Sequence, residues 1–183
     1  VFDESGKENG SIIYYDLDGK KYEEFVYKKG SLESITLYDK TGKQVEKVER
    51  SGKKLNYKSH FQTGRVFAEG LILSDKKTGL WKYYDQYGNI KYTEKYKEGE
   101  LTDTTFGYHP NGKLYYQIVY ENGKRNGLYL EYNQLGTLVE EGMYKDDERS
   151  NDWYVYDSNG DVEYESCYKN GERHGLQKSY AVN

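Results

Sequence analysis

From Trp81 to Asp85 and again from Asn89 to Lys97, apolar and polar residues alternate with the period of a pleated strand, and Gln86-Tyr87-Gly88 interrupts them. No segment of the chain carries the i, i+3, i+4 spacing of an amphipathic helix. The interruption has turn chemistry. An Asp such as Asp16, Asp39, Asp85 or Asp157 opens it, where a carboxylate can accept from backbone two residues on. A Gly closes it, supplying the positive φ of a three-residue hairpin loop with a bulge. The pattern therefore predicts a β-hairpin.

That hairpin recurs. The closing glycines are Gly19, Gly42, Gly64, Gly88, Gly112, Gly136 and Gly160, spaced 22 to 24 residues apart. Four positions earlier stands a Tyr in every unit except that of His60, and eight later stand Tyr27, Tyr96, Tyr120, Tyr144 and Tyr168. Further glycines fall eleven and fifteen positions on, with Asp75 and Asp147 replacing two of them. The expected organisation is one repeat domain over 1–183: a partial unit at 1–10, seven hairpins across 11–175 and a partial unit at 176–183. Gly6 and Gly10 are read as the second and third glycines of a preceding unit. The unit around Val45 to Asn56 keeps the pattern least. A lone hairpin is marginal in water, so the units must pair side by side. The expected fold is an all-β, elongated, open-ended single-layer sheet.

Pairing the residues on either side of each turn as equals assigns two faces. One, expected to be packed, carries Leu80, Leu128, Phe106, Leu130, Tyr84, Tyr156, Ile90 and Tyr96. The other, expected to be wet, carries Trp81, Tyr83, Tyr115, Tyr129 and Trp153 among Lys91, Gln117, Glu141 and Glu165. Rigid aromatics amid charge have the composition of interaction hot spots. These five residues are the candidate binding site.

Composition narrows the class of protein. Only 35% of the 183 residues are hydrophobic, and 23 of those are Tyr, so burial must rest on rings that keep a wet hydroxyl. A net charge of −4 removes the companion sign of disorder. The 27 basic and 31 acidic residues interleave, leaving no basic stripe for nucleic acid. No apolar run reaches the length of a membrane span. Cys167 is the only cysteine, and the small unpaired side chain is the favoured reading over redox chemistry or lipidation. An opening at Val1 instead of Met predicts a processed or excised chain.

Gly79-Leu80-Trp81-Lys82-Tyr83-Tyr84-Asp85-Gln86-Tyr87-Gly88-Asn89-Ile90, followed by Tyr96-Lys97-Glu98-Gly99, resembles the MORN repeat in its bacterial variant form. Asn126-Gly127-Leu128-Tyr129 and Asn170-Gly171-Glu172-Arg173-His174-Gly175-Leu176 repeat the likeness. The resemblance implies an open twisted sheet of hairpins, no catalytic residues and a role in protein interaction or scaffolding. It also implies membrane-surface contact or antitoxin-like neutralisation as alternatives, and an exported or cell-surface setting ahead of a cytoplasmic one.

Catalysis finds no support in the residues. His60, His109 and His174 occupy different repeat positions, and no Ser or Cys nucleophile is paired with any of them by a motif. Asp16-Leu17-Asp18-Gly19 is a turn, because a calcium loop would need a bidentate Glu where Tyr27 stands. The expectation is therefore a scaffold that is no enzyme and needs no cofactor or metal, with another protein as partner. Carbohydrate, lipid surface and end-to-end self-association are the other partners weighed.

Overall fold

The computed structural model describes residues 2–181, all of them strands, turns and connections without a helix. Residues 182–183, the last of the expected C-terminal partial unit, lie outside the described residues. The chain divides into two compact units, 1–90 with 96–99 and 91–95 with 100–183.

In the first unit, β1 (Gly10–Tyr15), β2 (Lys21–Lys28), β3 (Ser31–Tyr38) and β4 (Gln44–Glu49) form a four-stranded antiparallel sheet in chain order. A second ladder follows, with β5 (Lys54–His60), β6 (Val66–Leu73) and β7 (Lys76–Tyr84) also in order. Neither closes into a barrel, so the open all-β fold of successive hairpins is present. The ladder is not continuous, however: β4 and β5 belong to different sheets. The break falls in the least regular unit, and the turn chemistry differs there. Elsewhere the link between hairpins is a two-residue loop with positive φ at both positions, as at Lys29-Gly30 (51° and 87°), Asn122-Gly123 (50° and 79°) and even Asp146-Asp147 (51° and 73°). That is a type I′ turn, whose twist matches the flanking strands. Between β4 and β5 only Gly52 has positive φ, and Ser51 and Lys54 bond each other around Gly52-Lys53.

The break allows burial that one layer cannot provide. Phe25, Leu32 and Ile35 from the first sheet meet Leu55 from the second, with Ile12, Tyr27, Val48, Tyr57 and Ile72 packed around them. Arg50 and Asp75 clip the edge of this core. The Arg50 guanidinium donates to Asp75 at 2.5 Å and to the Leu32 carbonyl at 2.8 Å, while Ser31 Oγ donates to the other Asp75 oxygen at 3.1 Å.

The second unit takes up part of β8 (Ile90–Lys97), with the short β9 (Glu100–Leu101) paired to it. It continues through β10 (Asp103–Tyr108), β11 (Leu114–Glu121), β12 (Lys124–Tyr132), β13 (Leu138–Lys145), β14 (Glu148–Tyr156), β15 (Val162–Lys169) and β16 (Glu172–Ser179). Here β8 pairs β10, and β10 to β16 pair in chain order.

Every hairpin glycine from Gly19 to Gly160 has positive φ, and where an Asp or Asn opens the turn it organises it, Phe61 and His109 standing at that place in the turns of Gly64 and Gly112. Asp16 Oδ1 accepts from the N–H groups of Asp18 (3.0 Å) and Lys20 (2.8 Å); Asp39, Asp85, Asn133 and Asp157 do the same. Gly6 closes a turn of this kind at Asp3, with Gly6 N–H donating to the Asp3 carbonyl, so it is itself a hairpin glycine and not a later glycine of its unit.

Candidate interaction faces

The hairpin turns of Gly19, Gly42, Gly64, Gly112, Gly136 and Gly160 each carry a bulge, and the bulge decides which residues share a face. Val155 pairs Tyr164 and Tyr156 pairs Val162, which leaves Glu163 unpaired; Tyr22 and Tyr115 are skipped in the same way. Because side chains alternate with period two, one extra residue moves the whole second strand to the opposite face relative to the first. The two faces expected from equal pairing are therefore misassigned. Tyr96 and the other tyrosines eight positions past the hairpin glycine share a face with Trp81 and Trp153.

That face is the buried one. Trp81 and Trp153 are each 2% exposed and Tyr83 is 7% exposed, whereas Leu80 is 56% exposed. Trp81, Tyr83 and Trp153 are thus not wet. Tyr129 is half-buried, and Tyr115, at 39%, is the one of the five that stands open.

Glycine makes this burial possible. The indole of Trp153 lies flat on Gly142, where a Cβ would come within 2.1 Å of Cδ2; Trp81 lies likewise on Gly70, at 2.3 Å. In both cases the indole N–H donates 3.2 Å to the next carbonyl along, that of Met143 or Leu71. Tyr57, Tyr83 and Tyr96 surround Trp81, with ring centroids 4.9 to 6.2 Å away, and Tyr129, Tyr144 and Tyr168 surround Trp153 at 5.1 to 6.2 Å. A cation from the same repeat position closes each cluster: Lys77 Nζ is 4.5 Å from the Trp81 ring and the Arg149 guanidinium 3.9 Å from that of Trp153. Lys77 also donates to Tyr83 Oη at 2.6 Å, and Arg149 pairs with Glu140 at 3.0 Å. These rings hold neighbouring hairpins together. The signal in the sequence is a glycine six positions past the hairpin glycine, in a strand otherwise alternating, one unit ahead of each Trp.

The opposite face carries a different row. The tyrosine four before the hairpin glycine donates to a glutamate of the preceding unit: Tyr38 to Glu24 (2.7 Å), Tyr84 to Glu69 (2.6 Å) and Tyr156 to Glu141 (2.6 Å), and Tyr180, 24 residues after Tyr156, donates likewise to Glu165 (2.8 Å). Burial, then the bonded carboxylate, pushes Tyr84 and Tyr156 up to about 12. The Tyr38 hydroxyl in turn holds Glu24 below the usual carboxylate range. Beside this row in the second unit, Leu128 pairs directly with Met143, and Leu130 with Glu141. Leu128 is 38% and Met143 36% exposed.

The histidines stand apart. His60 is buried, with Nδ1 2.9 Å from Glu23 and Nε2 3.5 Å from Glu46. His109 Nε2 is 2.7 Å from the Tyr132 carbonyl, and His174 is exposed. Cys167 is half-buried, and hydrogen bonding to the Asp152 carboxylate raises its pKa, which keeps the thiol protonated. Among the described residues no group of three or more His, Cys, Asp or Glu could hold a metal ion.

Three consecutive stretches, 104–122, 125–146 and 150–170, match the MORN repeat variant. Over these stretches the chain is similar to that repeat. The matched stretches lie in the second unit, over the Trp153 cluster and the Leu128–Met143 pair. No curated protein matches. Solved structures with partial likeness include S. aureus TarM in complex with fondaparinux, alpha-GlcNAc-glycerol and UDP, at 8% identity and a TM-score of 0.31, covering 64% of this chain and 19% of that one. The TcdB2-TccC3 structure, at 13% identity and a TM-score of 0.23, covers 98% and 13% respectively. The chain thus spans under a fifth of either, and scores this low carry no argument about fold or function.

Proposed function

We propose that this protein is a non-enzymatic repeat scaffold that binds another protein, and that the contact lies on the face of Leu128 and Met143, not on that of the tryptophans. MORN repeats are in general protein- or membrane-interaction repeats, and the three matched units supply that coarse role. The observation that carries the placement is the Leu128–Met143 pair, two apolar side chains directly opposed and more than one-third exposed, with Leu130 beside them. Exposed neighbouring apolar side chains mark contact sites more often than solitary ones do. The charge of the unit that carries them bears on the partner's chemistry. The second unit holds 10 Lys and Arg against 16 Asp and Glu, so a partner with an apolar centre and a basic rim complements it.

The test is affinity capture with crosslinking, the captured protein being identified and its affinity then measured with purified material. A Leu128→Lys, Met143→Lys double variant is expected to weaken binding at least about tenfold. Tyr115→Ala, at the exposed ring outside this pair, is expected to leave it within about twofold. Loss of the partner on Tyr115→Ala but not in the double variant would return the site to the aromatic face.

A further inference from the structure

A cleft of about 470 Å³ opens in the first unit between β1–β2 and β5–β6. Its mouth is aromatic and wet: Tyr14 is 44%, Tyr15 59% and Phe67 43% exposed. Its floor is polar and dry, made of Glu23, Ser59 and His60, none more than 6% exposed. That combination needs an explanation, because buried polar groups are ordinarily satisfied.

Ser59 is not. Its Oγ is buried without a hydrogen-bond partner; the Tyr57 hydroxyl is near enough to be influenced by it, yet no bond of ordinary geometry joins them. Glu23 is half engaged. Its Oε1 accepts from the His60 backbone N–H and faces ring Nδ1, both at 2.9 Å, while Oε2 takes no hydrogen bond from the described residues. The floor thus offers one hydroxyl that can donate or accept and one carboxylate oxygen that accepts.

The lining also says what does not belong there. No Lys or Arg is present, so an anion would meet only Glu23. Three other clefts differ in this: one includes Arg50 and Lys77, another Lys47, Lys58 and Lys82, a third Arg149, Arg173 and Lys178. A cation is disfavoured as well. Glu46 is already paired with Lys58, whose Nζ is 2.9 Å away, and Glu23 Oε1 already takes the His60 backbone N–H, which leaves a single carboxylate oxygen where a cation would want several. Exposed aromatic rings at the mouth and hydrogen-bonding groups at the floor suit a ligand with one apolar C–H face and several hydroxyls.

We propose that this cleft binds a neutral pyranose, its ring stacked on Tyr15 or Tyr14 and its hydroxyls bonded to Ser59 Oγ and Glu23 Oε2. The volume lies within the range of small-ligand sites. This site is separate from the proposed protein contact, which lies in the other unit.

The experiment is amide NMR on the full chain, titrated in turn with methyl β-glucopyranoside, methyl β-galactopyranoside and N-acetylglucosamine, and with glucuronate, n-butylammonium and cyclohexanol. At least one of the three neutral sugars is expected to give saturable shifts at millimolar concentration, confined to residues 14–15, 22–23 and 59–62. Ser59→Ala and Tyr15→Ala are each expected to weaken that binding roughly tenfold. Both should keep the wild-type spectrum elsewhere, since Ser59 Oγ makes no bond and Tyr15 is largely exposed. The proposal is overturned if none of the three saturates by about 50 mM, where binding is worth less than about 2 kcal/mol. It is equally overturned if glucuronate, n-butylammonium or cyclohexanol binds as tightly, or if both variants bind as the wild type does.

Discussion

The Trp153 indole occupies the space that a side chain at position 142 would need. A Cβ at Gly142 would press on the indole ring itself, not on the tip of a flexible side chain, so the ring must lift from the backbone. Gly142→Ala is expected to destabilise the protein by about 1 to 3 kcal/mol, as overpacking does. Trp153→Ala, which empties the site, is expected to cost about 3 to 5 kcal/mol. Urea titration followed by circular dichroism reads both, and an effect below about 0.5 kcal/mol for Trp153→Ala would mean that the indole is peripheral. The tyrosine–glutamate bonds make a prediction in alkali. Tyr84 and Tyr156 are raised from 10.0 to about 12 in the fold. A raised folded value means the folded chain holds these protons longer than the unfolded chain. Their contribution to stability is therefore complete below pH 10 and lost as pH rises towards 12. Ultraviolet titration of Tyr84→Phe, Tyr156→Phe against the wild type should reduce the absorbance change in the upper part of that window, where Tyr27 still titrates, and leave the part near pH 10.

At the scale of the element, the type I′ links between hairpins set the twist with which strands join. Gly123, at φ 79°, is one of the positions that requires left-handed backbone. Gly123→Ala is expected to cost about 1 to 2 kcal/mol, while the same change at a glycine of ordinary φ with free space would cost less. Asp75 works between elements. It receives Arg50 from the β4–β5 crossing and Ser31 from the β2–β3 turn, and Arg50 keeps only 8% of its side-chain surface exposed. Asp75→Ala is expected to leave that guanidinium short of an acceptor and lower stability by about 1 to 2 kcal/mol, less than a fully buried pair because Asp75 itself is 47% exposed. Hydrogen exchange should quicken at residues 50–54 ahead of the rest of the first unit.

At the scale of the whole chain, the two units bury their residues differently. The first packs two sheets around Phe25, Ile35 and Leu55, whereas the second buries Trp153 by laying it on its own sheet. Each unit holds one Trp, so Trp81→Phe and Trp153→Phe variants give one fluorescent reporter apiece. The Trp81 signal is expected to persist to higher urea than the Trp153 signal, because a two-sheet core removes more apolar surface from water per strand than a single layer. Coincident transitions would show instead that the units unfold as one.

The sequence by itself determined the hairpins: the Asp-x-x-Gly turns, the alternation and the 22-to-24-residue period are local, and each depends on φ and hydrogen bonds within a few residues. Only the tertiary structure decided which face is dry. The bulge beside Tyr22, Tyr115 and Glu163 adds one residue to a pattern of period two, so a local reading that pairs the strands as equals places Leu80 inside and Trp81 outside, the reverse of what the fold does. The sheet break after β4 was hidden for a related reason. The unit around Val45 to Asn56 departs from the repeat without saying where the chain goes, and the effect is visible only where Leu55 meets Phe25 and Ile35 across the two sheets. Burial is a property of what lies opposite, and that is set by register and by the neighbouring sheet, neither of which is encoded within a single repeat.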